Sequence, residues 1–149
     1  MSSKALQIVE VIQTLFETPA LTGIGAGGVV DDPDYAFNVS DLPMVAVYMG
    51  DETPPDRSVI SMHDNTAIIT VRVTAKKGGV TGKSALASCD PLVVATYNRL
   101  MAAPTLGGLA FDIQKQATRR SRDVIEVPVA YTEIDYAVQF RTTDTSLET

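Results

Sequence analysis

Few residues in this 149-residue chain have types and spacings that could do chemistry. His63-Asp64 is the one place where a general base and a carboxylate stand side by side. Orienting an imidazole usually takes a carboxylate from elsewhere in the fold, and no Ser or Cys lies in a nucleophile-elbow pattern, so His63 reads as an exposed turn residue. Gly23-x-Gly25-x-x-Gly28 matches the spacing by which glycines let backbone amides approach a pyrophosphate. Its context argues against that use: it follows a predicted helix, no helix opens after it, and it runs into Asp31-Asp32-Pro33-Asp34, which would repel phosphate. A structural loop is the stronger reading. Gly78-Gly79-Val80-Thr81-Gly82-Lys83-Ser84 would be a phosphate loop if a glycine stood five residues ahead of Gly82, with four residues between, but that position is Lys77 and Gly78 is one residue too close.

Metal chemistry has equally little to work with. One His and one Cys exclude the usual structural zinc sets. The acids at 31–34 lack the spaced ligands, central Gly and closing Glu of a calcium loop. No cofactor is expected. What remains is charge. Arg119, Arg120 and Arg122, with Lys115 nearby, form a concentrated basic patch, while acids gather at Asp31, Asp32 and Asp34 and again at Asp51, Glu52 and Asp56. Two readings stand open: a solvated loop between strands, or an electrostatic contact in which the acids of one copy face the arginines of another.

These residues have to be carried by elements the sequence also predicts. Ala5, Ile8, Val9, Ile12, Leu15 and Phe16 recur at helical spacing from Ser3 to Glu17, with Ser2 or Ser3 as cap and Pro19 as the stop. Met44 to Met49 reads as a buried strand, broken by the acidic, proline-rich stretch Asp51 to Asp56. Asn65 to Lys76 alternates with a period of two, and a second helix is predicted to open at Asp90-Pro91 and run to Pro104. Phe111, Ile113, Lys115 and Ala117 alternate in a strand expected to end in the basic patch. In the last strand Ala130, Thr132, Ile134, Tyr136, Val138 and Phe140 share one face. Pro128 places its start near an edge or bulge.

Helix, strands, helix, strands, without a repeat, gives an α+β domain: a mainly antiparallel sheet of four to five strands with both helices on one face. The expected organisation is one domain over 1–149, with flexible loops near 20–43 and 50–58 and a polar tail at 142–149. A 45% hydrophobic and 20% charged composition is that of a globular chain. No apolar run reaches the roughly 18 residues that span a bilayer, and the N-terminus lacks the pattern of a secretory signal. Together with the lone Cys89 this points to a reducing cytoplasm. A formal net charge of −6 argues against a dedicated nucleic-acid binder.

The amphipathic helix Ala5–Phe16, the acidic proline-rich loop before the Asn65–Lys76 strand, the Asp90-Pro91 helix and the closing strand Ala130–Arg141 with Tyr136-x-Val138-x-Phe140-Arg141-Thr142 carry a resemblance over nearly the whole chain. In that order, the chain resembles the tail terminator proteins of long-tailed phages, the lambda minor tail protein U family. The resemblance implies a non-enzymatic protein that assembles as a ring, usually hexameric, on the last ring of a finished tail tube, stops further addition, and presents a docking surface to the head-completion or neck protein. Its partners would be itself, the tail tube protein and the neck protein, in the virion after assembly in the host cytoplasm, with DNA passing through the ring. The alternatives are another head–tail connector or tail-completion protein, and a small hydrolase or nucleotide-binding protein using His63 or Lys83.

Overall fold

The computed structural model describes residues 2–24, 27–31, 42–52, 56–59, 61–77, 84–124 and 127–143, with the backbone alone for 56–59. Helix α1 (Lys4–Glu17) forms where the spacing predicts it. Ser3 caps it, its hydroxyl accepting the Leu6 N–H at 3.3 Å, and Ala5, Ile8, Val9, Ile12 and Phe16 are its buried stripe. It ends at extended Thr18, the residue before Pro19, where proline geometry disfavours helix.

Among the described residues six strands make one sheet: β1 (Val29–Val30), β2 (Met44–Glu52), β3 (Asp56–Val59), β4 (Met62–Lys76), β5 (Asp112–Val124) and β6 (Pro128–Thr143). The order is β1-β2-β4-β6-β5, with β3 pairing β4 beside the main path. Only β1 and β2 are parallel; the other pairs are antiparallel. The α+β class, the mainly antiparallel sheet and the two helices on one face are as the sequence predicts.

The alternating residues explain which face is covered. Ala67, Ile69, Val71, Val73 and Ala75 of β4 stand opposite Val138, Tyr136, Ile134, Thr132 and Ala130 of β6, and all ten are buried. Val45 and Val47 extend this face across β2, and α1 and α2 (Ala85–Met101) pack over it in one core. Fully burying a side chain such as Ile8 or Ile12 is worth about 1.5–3 kcal/mol. The helices are also tied to each other, because Arg99 near the end of α2 donates to the Leu15 carbonyl at 3.0 Å and to that of Pro19. Those carbonyls lie at and beyond the C-terminal turn of α1, where carbonyls lack helical partners.

Several boundaries differ from expectation. Helix α2 starts six residues before Pro91, not at Asp90-Pro91. Ser84 is the cap, its hydroxyl accepting the Ala87 N–H at 3.2 Å, and Pro91 lies inside the helix. The extra turns bury Ala85 and Cys89 against the sheet, and the Cys89 thiol lies 3.3 Å from the Ala130 carbonyl. Strand β4 begins at Met62, so His63 and Asp64 are strand residues rather than an exposed turn; His63 is half-buried opposite Thr142. Asp51 and Glu52 end β2 and Asp56 opens β3, so the acidic stretch is largely strand at its two ends. Strand β6 runs to Thr143, and buried Thr142 accepts from Asn65 at 2.8 Å where a polar tail was expected. The rest of that tail lies outside the described residues.

Because Ser84 and not Asp90 caps α2, Ser84→Ala is expected to lower stability by about 0.5–2 kcal/mol in chemical denaturation, and Asp90→Ala to leave it within a few tenths. Equal losses would return the helix start to Asp90.

Candidate interaction surface

With both helices on one side, the other face of the sheet is built from the alternate residues of the same strands. Thr70 and Arg72 of β4 stand opposite Asp135 and Glu133 of β6, and Glu133 in turn stands opposite Arg119 of β5. The side chains close into a ladder. Arg72 donates from Nε to Glu133 Oε1 at 2.8 Å and again from Nη2. Arg119 donates to Glu133 Oε2 at 2.9 Å from Nη2 and at 3.2 Å from Nε, and to Asp135 at 2.6 and 2.8 Å. Thr70 completes it, donating to Asp135 Oδ1 at 2.8 Å. The Arg72 guanidinium also lies over the Tyr131 ring, 4.4 Å from its centroid, and 5.9 Å from that of Tyr48.

Two arginines and two carboxylates make this ladder neutral. Glu133 is only 8% exposed at its side chain, a place where an unpaired carboxylate would be costly, and both arginines bond to it. Hydrogen bonds from Arg119 hold the Asp135 carboxyl below its usual range against the opposing effect of burial, with Thr70 adding to them. The bonds that Arg119 donates to Asp135 and Glu133 likewise push its guanidinium up. Burial opposes the charge of Arg72, but the bond to Glu133 and the neighbouring tyrosines outweigh it, so its pKa is also raised. Burial raises the Tyr48 phenol. A smaller pair on the same face joins Arg141 Nε to Asp64 Oδ1 at 2.7 Å.

The basic patch is therefore a stretch of β5, not a loop. Arg119 is bonded within the chain to Glu133 and Asp135, with 52% of its side chain still exposed. Arg120 and Arg122 lie opposite Thr132 and Ala130, hence on the helix side of the edge strand; both are exposed and neither has an ion-pair partner among the described residues. Lys115, opposite Tyr136, shares that side and lies 5.9 Å from the Tyr97 ring of α2. The acids Asp31, Asp51 and Glu52 are exposed at the other edge, where β1 and β2 lie. Asp32 and Asp34 are outside the described residues, as is the Gly78–Lys83 loop, and of Asp56 only the backbone is described.

Among the described residues, Asp31, Asp51 and Glu52 are not brought together with Lys115, Arg120 and Arg122: the two groups lie at opposite edges of one sheet. No family model and no curated protein matches this chain. Among solved structures, it is similar to a chain described as "Virion of native gene transfer agent (GTA) particle", at 13% identity over 87% of this chain and 94% of that one, with a TM-score of 0.39.

The ladder is what sequence reasoning missed. Its signal was present as two outward-facing polar sets, Thr70 and Arg72 in one strand and Glu133 and Asp135 in another, but the pairing register was needed to join them. Among the described residues no group of three His, Cys, Asp or Glu converges, and no helix is long and apolar enough to cross a membrane.

Glu133→Gln leaves Arg72 and Arg119 without their shared charge and is expected to cost about 1–3 kcal/mol, against about 0–1 for Asp64→Asn in the exposed pair, read by urea denaturation. Asp135 has a second, pH-dependent signature. Its folded pKa lies below its unfolded one, so its stabilisation is complete above roughly pH 4 and is lost as pH falls through the folded value. Asp135→Asn should flatten the fall of stability with acid below about pH 4; an unchanged slope would show that Asp135 is not the group responsible.

Proposed function

We propose that this chain is a structural protein of a phage-like particle, a tail terminator that forms a ring, hexameric in the form the resemblance implies, on the head-proximal end of the tail tube. The ring ends tube polymerisation and offers its far surface to the head-completion or neck protein. It acts without catalysis or cofactor, is assembled in the host cytoplasm, and works in the virion as a single domain over 1–149.

The observation that carries this reading is the sorting of charge to opposite edges of one sheet. A ring is made by a heterologous contact, in which one patch of each copy meets a different patch of the next and the rotation closes. On its helix side β5 carries Lys115, Arg120 and Arg122, with its acids Asp112 and Asp123 on the other, and the β1–β2 edge carries acid, so the chain has two such patches and they attract. The helix, the acidic stretch and the long closing strands on which the family resemblance rests are also the elements that create this arrangement. The candidate assembly contacts are Lys115, Arg120 and Arg122 on one side and Asp31, Asp51 and Glu52 on the other, with Asp32, Asp34 and Asp56 beside the latter in sequence.

Electron microscopy of tail tubes polymerised with and without the protein tests the reading. Tubes of bounded length, each bearing one ring at one end, are the expected result. Tubes that grow past the protein, or monomers alone both at high concentration and with tubes, would overturn it, and density at another level of the neck would make it a connector instead.

A further inference from the structure

The strand registers fix the height of each charge along the sheet. Following the paired residues across it, Glu52 is level with Ala67, Val138 and Ile113, while Met49 is level with Ile69, Tyr136 and Lys115. Val47 is level with Val71, Ile134 and Thr118, and Val45 with Val73, Thr132 and Arg120. Val29 lies beside Val45, so Asp31, two residues on, falls near the height of Thr118. At about 3.3 Å per residue, Asp31 is within two residues of Arg120 in height, and Glu52 within two of Lys115. A lysine or arginine side chain spans such an offset.

The charges also agree in face. The irregularity between Met49 and Glu52 puts Glu52 opposite buried Ala67, on the helix side, and Lys115, Arg120 and Arg122 lie on that side too. The strand directions agree as well. Rotation about a ring axis leaves each strand's sense along that axis unchanged, and β5 runs opposite to β1 and β2. Side by side in neighbouring copies, they would therefore be antiparallel. No strand among those described pairs the outer side of β5, whose 13 residues contain no proline, and β1 pairs only two residues of β2.

From these three agreements we propose that copies join edge to edge, β5 of one antiparallel to the β1–β2 edge of the next, so that one sheet continues from copy to copy with its helices on one side. Backbone hydrogen bonds would supply the affinity and the level-matched charges the register. The proposal rests on the ring reading above and deepens it by naming the surface that meets the second copy.

Charge exchange tests it on the full chain. One variant carries Lys115→Glu, Arg120→Glu and Arg122→Glu; the other carries Asp31→Lys, Asp51→Lys and Glu52→Lys. Each alone sets like charges face to face and is expected to weaken self-association, read by analytical ultracentrifugation and cross-linking, by about tenfold or more. Mixed in equal amounts they are expected to assemble again, because copies alternating around an even-numbered ring place acid against base at every contact. Circular dichroism and thermal melts establish that both variants are folded. Where a variant does not fold, Lys115→Cys with Met49→Cys serves instead, and oxidation should link copies into ladders on a non-reducing gel.

The proposal falls if folded variants each assemble like the unaltered chain, if their mixture does not assemble, or if the cysteine pair gives no links. The last two results would leave the β5 charges as a guard that keeps exposed edges apart. Failure of the wider reading is distinguishable. Tubes capped by a protein whose mixture does not recover would keep the terminator and lose this contact; recovered assembly that leaves tubes uncapped would do the reverse.

Discussion

Fifteen consecutive residues of β4 pair with β6 in unbroken antiparallel register, from Met62 opposite Thr143 to Lys76 opposite Val129, and the rest of the molecule depends on that alignment. It sets Ile69 against Tyr136 and Val71 against Ile134 under the helices, and by the same act sets Arg72 against Glu133 on the open face. A slip of one residue in either strand would exchange its two faces, carrying a carboxylate under α2 and a stripe of Val and Ile into water. The cost of burying charge and the gain from burying hydrocarbon therefore enforce one register from both sides.

The ladder adds specificity more than net stability. Desolvating two ions opposes the attraction between them, so a buried pair is weak evidence of stabilisation, while removing one partner is costly. Arg119 is half in water, at 52% side-chain exposure, and its attraction to Glu133 is screened accordingly. Arg72 is better shielded, lying over Tyr131 with its bond to Glu133 protected. The bidentate contacts of Arg119 with Asp135 help to hold edge strand β5 in place, where few of its own residues are buried. Only Ile113 of β5 belongs to the core, and the strand is otherwise fixed by its bonds to β6 and by this ladder.

That distribution explains what could be read from the residues. Helix α1 and the faces of β4 and β6 were legible because apolar residues there follow one period, and the fold class follows from their order. The basic half of β5 was not. An edge strand with one neighbour and little buried surface carries no apolar alternation, so Arg119 to Asp123 looked like a loop although it pairs residue by residue with β6. The same holds for Met62 to Asp64, which are strand because β3 and β6 flank them. At α2, Asp90-Pro91 is as good a local start signal as Ser84; the earlier start prevails because it places Ala85 and Cys89 on the sheet. The charged segments are plain in the sequence, but their division between two edges is a property of strand order, which local pattern does not encode.

The net charge of −6 acquires a different meaning once the strands are placed. On the open face, Arg72, Arg119, Glu133 and Asp135 cancel, while Asp31, Asp51 and Glu52 stay exposed beside β1 and β2, and Lys115, Arg120 and Arg122 along β5. A sheet with like edges would repel its copies, and one with each charge on both edges would associate in either orientation. Opposite edges favour one orientation, in which every added copy leaves the same two edges free. Such addition stops only when the last edge meets the first, and whether it does is set by sheet twist and by the bulk of the helices on one side. In the proposed edge-to-edge assembly, helices confined to one face would crowd that side and turn successive copies away from it, so the asymmetry that builds the core would also supply the curvature a ring needs.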